Sequence, residues 1–236
     1  MASTPADLSD GGYATAAAIT FAMALALTTS ALTGLAAVKL RGARSDLNRM
    51  RLEHVLASAR QEAIGAVMAN AKSERLGWSV QAGGAQVQIL AEPEAAKLGY
   101  DGAAKLDEKM LTRLGVKDAG ALRARLAQAA AATDGDYGLW PGELDEAPGW
   151  RSCAGSLLSA FGLAKTPTLA APAAPDGRGV SWRPGEVWKI EAAASGWAET
   201  ALVRFTGDGQ RPAAVIARKL ARQTEGEGSC NLQLAT

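Results

Sequence analysis

Hydrophobic and polar positions change rhythm several times along the chain, and each rhythm predicts an element. From Tyr13 to Val38 the stretch YATAAAITFAMALALTTSALTGLAAV runs for twenty-six residues with no ionisable group except the tyrosine phenol. A helix of that length measures roughly 39 Å against roughly 30 Å of bilayer hydrocarbon, so the segment is long enough to cross with some tilt. Alanine and threonine dilute it, and Ile19, Phe21, Met23, Leu25, Leu27, Leu32, Leu35 and Val38 supply the strongly apolar surface. Past Lys39, Arg41 and Arg44 the pattern changes. Leu52, Val55, Leu56, Ala59, Ala63 and Val67 recur every three or four residues on an otherwise charged stretch, which predicts an amphipathic helix reaching about Lys72. Gly42 weakens the join, and Ser45 with Asp46 offers a fresh N-cap, so one helix or two are both open.

The later periods are shorter. Val87 and Ile89 alternate with glutamines, predicting a half-buried strand from Ala85 to Leu90. Helices are expected from Asp107 to Leu114 and from Asp118 to Ala132, the second capped by Asp118 with Leu122 and Leu126 facing inward. Asp134-Gly-Asp-Tyr-Gly breaks the pattern. A further helix is expected from Ser152 to Phe161, followed by the proline-rich TPTLAAPAAPDGRG as a surface loop. Glu186 to Ala193, Glu199 to Phe205 and Ala213 to Ala221 read as strands, with a turn at Gly207-Asp208-Gly209-Gln210. The last of these, AAVIARKLAR, fits the helical period too. The expected fold class is α+β, a small antiparallel sheet packed on the amphipathic half of the first helix, with a mostly helical block inserted into it.

Composition and charge narrow the chemistry. The chain has 25 basic and 24 acidic residues, and positions 1–38 hold only Asp7 and Asp10 of these. No dense basic block occurs, so nucleic acid is not an expected partner. One histidine and two cysteines exclude paired-histidine sites and four-ligand zinc sites of the usual composition. GxSxG, Walker A, dinucleotide-fingerprint, HExxH and EF-hand patterns are all missing. His54 lies in the amphipathic stretch, where a solvated side chain is expected rather than a general base. No catalytic residue is expected, and the chain reads as a non-enzyme. Trp140, Trp150, Trp182, Trp188 and Trp197 are expected to serve packing rather than a ligand cage. Cys153 and Cys230 would close a disulfide in an oxidising compartment and stay thiols in a reducing one; the bridge is the preferred expectation.

Three readings of the N-terminal segment compete: a cleaved secretory signal, a plain single-span anchor, and a membrane helix trimmed just upstream. The start is acidic and the apolar run long, which disfavours the first. The third follows from the leader MASTPADLSDGG, which ends in glycine directly before Tyr13, so a cut between Gly12 and Tyr13 would keep the whole apolar helix.

The stretch GG-YATAAAITFAMALAL, the arginine- and alanine-rich helix ending near Asn70, and the strand-like GAQVQILAEPE together resemble type IV pilin-like proteins, and most closely the minor pseudopilin K family of the type II secretion system. LDEKMLTRLGVKDAGALRARL and GELDEAPGWRSCAGSLLSAFGL resemble that family's inserted domain more faintly. The resemblance implies a prepilin-type leader over 1–12, a transmembrane and assembly helix over 13–38 and its amphipathic continuation over 39–76. It also implies a sheet region over 77–95 and 180–236 and an inserted subdomain with its loop over 96–179. Most pilin-like chains carry glutamate at the fifth mature position, where this chain has Ala17; the resemblance implies that K-type subunits lack it because no neighbour precedes them at a fibre tip. The assembly surface would then be Ala17, Ile19, Phe21, Leu25 and Leu32.

The family's asparagine-containing motif after the first strand is replaced here by EPEAAKLGYD. The implied function is structural, at the tip of a secretion pseudopilus supporting export across the outer membrane. The implied partners are minor pseudopilins I and J, other pseudopilins, the prepilin peptidase and inner-membrane lipid. The implied location is single-pass in the inner membrane with a periplasmic C-terminal domain. Lys39, Arg41 and Arg44 point the opposite way, since basic residues favour the cytoplasmic side. No cofactor is expected. The alternative is calcium, which the resemblance implies for pseudopilins of this system, with Asp134 and Asp136, or separately Asp208, as oxygen ligands.

Overall fold

The computed structural model describes residues 10–70, 74–131, 140–165, 173–177, 182–223 and 230. The chain divides into two compact units, Met1–Leu52 and Glu53–Thr236. Helix α1, Asp10–Met68, supplies residues to both. It runs without a break through Gly42, Ser45 and Asp46, so the fresh cap is not used. Most of the expected leader, positions 1–9, lies outside the described residues, as do Asp134 and Asp136.

In the second unit, the stripe read from the sequence is the packed one: Leu56, Ala59, Ala63 and Val67 are fully buried. The helix stops at Met68, short of position 72, where Ala69 and Asn70 close its end by donating to Gly65 and Val67 carbonyls. The expected helical continuation to 76 is therefore corrected, because Leu76 already opens a strand. That strand is β1, Leu76–Ala82, whose LGWSVQA sequence carries no clear two-residue alternation. It pairs with β2, Ala85–Pro93, through a two-residue turn at Gly83 and Gly84, whose φ values of 55° and 81° demand glycine.

β5, Val187–Ala194, lies beside β2, and β6, Trp197–Phe205, and β7, Ala213–Arg222, complete a five-stranded antiparallel sheet ordered β1-β2-β5-β6-β7. The ambiguous AAVIARKLAR is thus a strand, since β6 offers its hydrogen-bonding edge along the whole length. One face of the sheet meets α1. Arg60 pairs with Glu199 of β6, and the same face carries Val87, Ile89, Ala91, Trp188, Ile190, Ala201 and Val203, all buried.

Everything between β2 and β5 is inserted. Among its described residues lie β3 (Leu98–Gly99), α2 (Glu108–Arg113), α3 (Ala119–Ala131), α4 (Pro148–Leu157) and β4 (Leu158–Ser159), with three short 3-10 turns. Asp107 caps α2 through the Lys109 amide, and Asp118 caps α3 through the Ala121 amide at 2.8 Å. Leu122 and Leu126 point into a separate core with Leu98, Leu106, Leu111, Trp150 and Leu157. The helix expected from Ser152 to Phe161 begins four residues earlier, because Pro148 sits in its first turn, where a missing amide costs nothing, and it gives way to β4 at Leu158. Trp150 and Trp188 are fully buried and Trp140, Trp182 and Trp197 half-buried, so all five pack.

Candidate functional site: an exposed apolar helix and a buried ionic joint

Within the first unit α1 presents its apolar residues outward all round. Ile19, Phe21, Leu25 and Leu32 are 54%, 72%, 56% and 69% exposed, and Ala17 is exposed among them. The helix is long and apolar enough to cross a membrane. Its threonines do not contradict that. The hydroxyls of Thr20, Thr28, Thr29 and Thr33 donate to carbonyls three or four residues back at 2.7–3.0 Å, so their donors are satisfied within the helix and none requires water. Gly12 and Tyr13 stand in the first turns of this helix. The arrangement offers a cylinder that gains free energy by entering lipid or by packing against other apolar helices.

The second feature went unseen in the sequence. Glu92 is the last residue but one of β2, Lys189 lies on β5, Arg75 precedes β1, and Glu94 and Lys97 lie in the turn after β2. Glu92 Oε1 contacts Arg75 Nε at 2.7 Å, while its Oε2 lies 3.0 Å from both Lys97 Nζ and Lys189 Nζ. Lys97 also pairs with Glu94. Both ammoniums donate to the Gly155 carbonyl of α4, at 2.6 and 3.3 Å, so this cluster fastens the insertion to the sheet. Burial alone would push the Glu92 carboxyl up, but Lys189, Lys97 and Arg75 outweigh it and hold the group well below the ordinary glutamate range. Burial would likewise lower Lys189, yet Glu92, Glu191 and Glu94 hold it above the usual lysine value.

No family model, curated protein or solved structure matches this chain.

The remaining expected residues separate. Cys153 and Cys230 form a disulfide joining α4 to the C-terminal segment. Among the described residues no group of three histidine, cysteine or acidic side chains is placed to hold a metal ion. Asp208 instead shapes its own turn, accepting from the Gln210 amide at 2.8 Å. His54 is exposed on α1. The sequence signal for the ionic joint was AEPEAAK, three charges at the end of a strand pattern, but its partner Lys189 lies nearly a hundred residues away and carries no local cue.

Proposed function

We propose that this chain is a K-type minor pseudopilin, a non-enzymatic subunit trimmed between Gly12 and Tyr13 that joins minor pseudopilins I and J at the tip of a secretion pseudopilus. The observation that carries this reading is the use of a single helix for two environments: α1 is exposed and apolar over Thr15–Val38, and its later turns pack on an antiparallel sheet. The insertion between β2 and β5 and the Cys153–Cys230 bridge add support, the bridge because disulfides persist in oxidising compartments such as the periplasm. In this reading the apolar helix waits in the inner membrane and leaves it when contacts with neighbouring helices offset the loss of lipid. Ala17 suits a subunit with no neighbour ahead of it.

The test is the mass of the N-terminal peptide from membranes of native cells, together with protease accessibility of the C-terminal domain from the periplasmic side. A chain starting at Tyr13 with an accessible domain is the expected result. A second reading is a single-span inner-membrane protein with a periplasmic partner- or ligand-binding domain, uncleaved and outside any fibre; Ala17 is equally the residue that a plain membrane anchor would carry. That reading is the outcome if Met1 or Ala2 persists in membrane-held protein.

A further inference from the structure

We infer that the outer edge of β7 is a docking site for an extended, acidic segment of a second protein, which would add to the sheet as a sixth strand. The two edges of the sheet are treated differently. At β1 the edge is met by Ala173, whose carbonyl accepts from the Gly77 amide at 2.7 Å and whose amide donates to the Arg75 carbonyl at 2.8 Å. At β7, the longest strand, no described residue pairs with the outer edge.

The phase of the ladder says which groups are free. The Gln223 amide donates to the Gly196 carbonyl at 2.9 Å, so Gln223, Ala221 and Lys219 turn their backbone groups toward β6, and Arg222, Leu220 and Arg218 turn theirs outward. Positions 209–223 carry Arg211, Arg218, Lys219 and Arg222 and no acidic residue. Lys219 is paired with Glu143, and Arg218 lies 4.0 Å from the buried Glu199. Arg211 and Arg222 have no carboxylate partner among the described residues, and Arg222 lies over the Trp197 ring at 5.1 Å. Exposed cations on an edge strand repel an identical edge, which guards against self-pairing. The same charges attract an acidic strand, whose backbone would meet the free groups while its carboxylates meet the arginines. This inference is independent of the proposed pseudopilin role.

The experiment uses the full chain in detergent micelles and a capped synthetic nonapeptide alternating valine with glutamate, against the same peptide with lysine for glutamate. Expected are saturable binding of the acidic peptide only, weakening with salt, and slowed hydrogen exchange at the Arg218, Leu220 and Arg222 amides. Leu220→Pro removes one outward donor without removing a bond to β6 and should weaken binding about tenfold. Should that variant unfold, Arg211→Glu/Arg222→Glu, altering only exposed side chains, should weaken it by a similar factor with the fold kept. Equal binding of the lysine peptide, protection confined to other strands, unchanged binding by the charge-reversed variant, or dimers formed through β7 would each overturn the inference.

Discussion

Replacing Glu92 by glutamine tests the ionic joint most directly. The carboxylate is the hub for Arg75, Lys97 and Lys189, and the two lysine side chains are only 5% and 8% exposed. Glutamine keeps the shape and removes the charge. Lys97 then retains Glu94 and the Gly155 carbonyl, whereas Lys189 retains Gly155 and Glu191 at 4.0 Å. Breaking a buried pair by removing one partner costs about 3–5 kcal/mol, and the surviving contacts set the expectation at the lower end, about 3 kcal/mol. For a domain of this size that corresponds to a fall in Tm of about 6–12 °C. Circular dichroism of the detergent-solubilised chain measures it.

The pH dependence gives a second readout. Because the folded Glu92 is more acidic than its unfolded counterpart, its contribution is complete above the ordinary glutamate value, roughly 4.3, and fades as pH falls from there toward the folded value. Lys189 is shifted the other way, so its contribution is complete below roughly 10.4 and fades as pH rises past it. Glu92→Gln should flatten the acid limb, and Glu92→Gln combined with Lys189→Met should recover part of the lost stability, since it leaves one fewer buried cation without its counter-charge. A Tm loss under about 2 °C, or an unchanged acid limb, would show that the cluster is solvated and not a fastening.

Cys153→Ser or Cys230→Ser should lower stability by about 2–4 kcal/mol and abolish the mobility difference between reduced and oxidised chains on a denaturing gel. Gly162→Ala would set a Cβ 2.5 Å from backbone atoms of Leu98 and Lys97 and should be strongly destabilising, whereas Gly65→Ala, which meets nothing within 4 Å on α1, should stabilise by about 0.5–1 kcal/mol in the same melt. Trp150→Phe deprives the Pro141 carbonyl of its 2.8 Å indole donor inside the insertion core and should cost about 1–3 kcal/mol, read by denaturant titration.

How far the chain could be read depended on whether a feature was local. The apolar run, the stripe from Leu56 to Val67, the helix near Asp107 and the cap at Asp118 are set by neighbours within a turn or two, and all were legible. β1 was missed although Gly83-Gly84 is a strong hairpin cue, because Leu76–Ala82 mixes glycine, tryptophan and serine and shows little alternation until it is paired. α4 begins at Pro148 rather than at Ser152, because Pro148 and the Asp145 turn, in which the Asp145 carboxylate accepts from the Ala147 amide at 2.9 Å, govern where it starts. The ionic joint was illegible for another reason: charged residues read as surface until topology brings β5 alongside β2.

That joint and the apolar helix have opposite relations to solvent, and the contrast constrains assembly. The second unit has internal partners for its buried charges, closing its sheet against Arg60, Lys97 and Lys189. The first unit has no such closure, for Phe21 and Leu27 are each 72% exposed. At roughly 25 cal/mol per Å2 of apolar area, each such side chain gains about 1.5–3 kcal/mol when it is fully taken out of water. The helix must therefore be covered by something outside the unit. If lipid covers it at every stage, Ala17→Glu costs free energy without return; if sister helices do so in a fibre, the carboxylate is tolerated only where a neighbour ahead of it offers a charged or hydrogen-bonding partner. A chain proposed for the tip has no such neighbour. Ala17→Glu is accordingly expected to reduce membrane retention and export together, and export unchanged by that substitution would remove the tip position from the proposal.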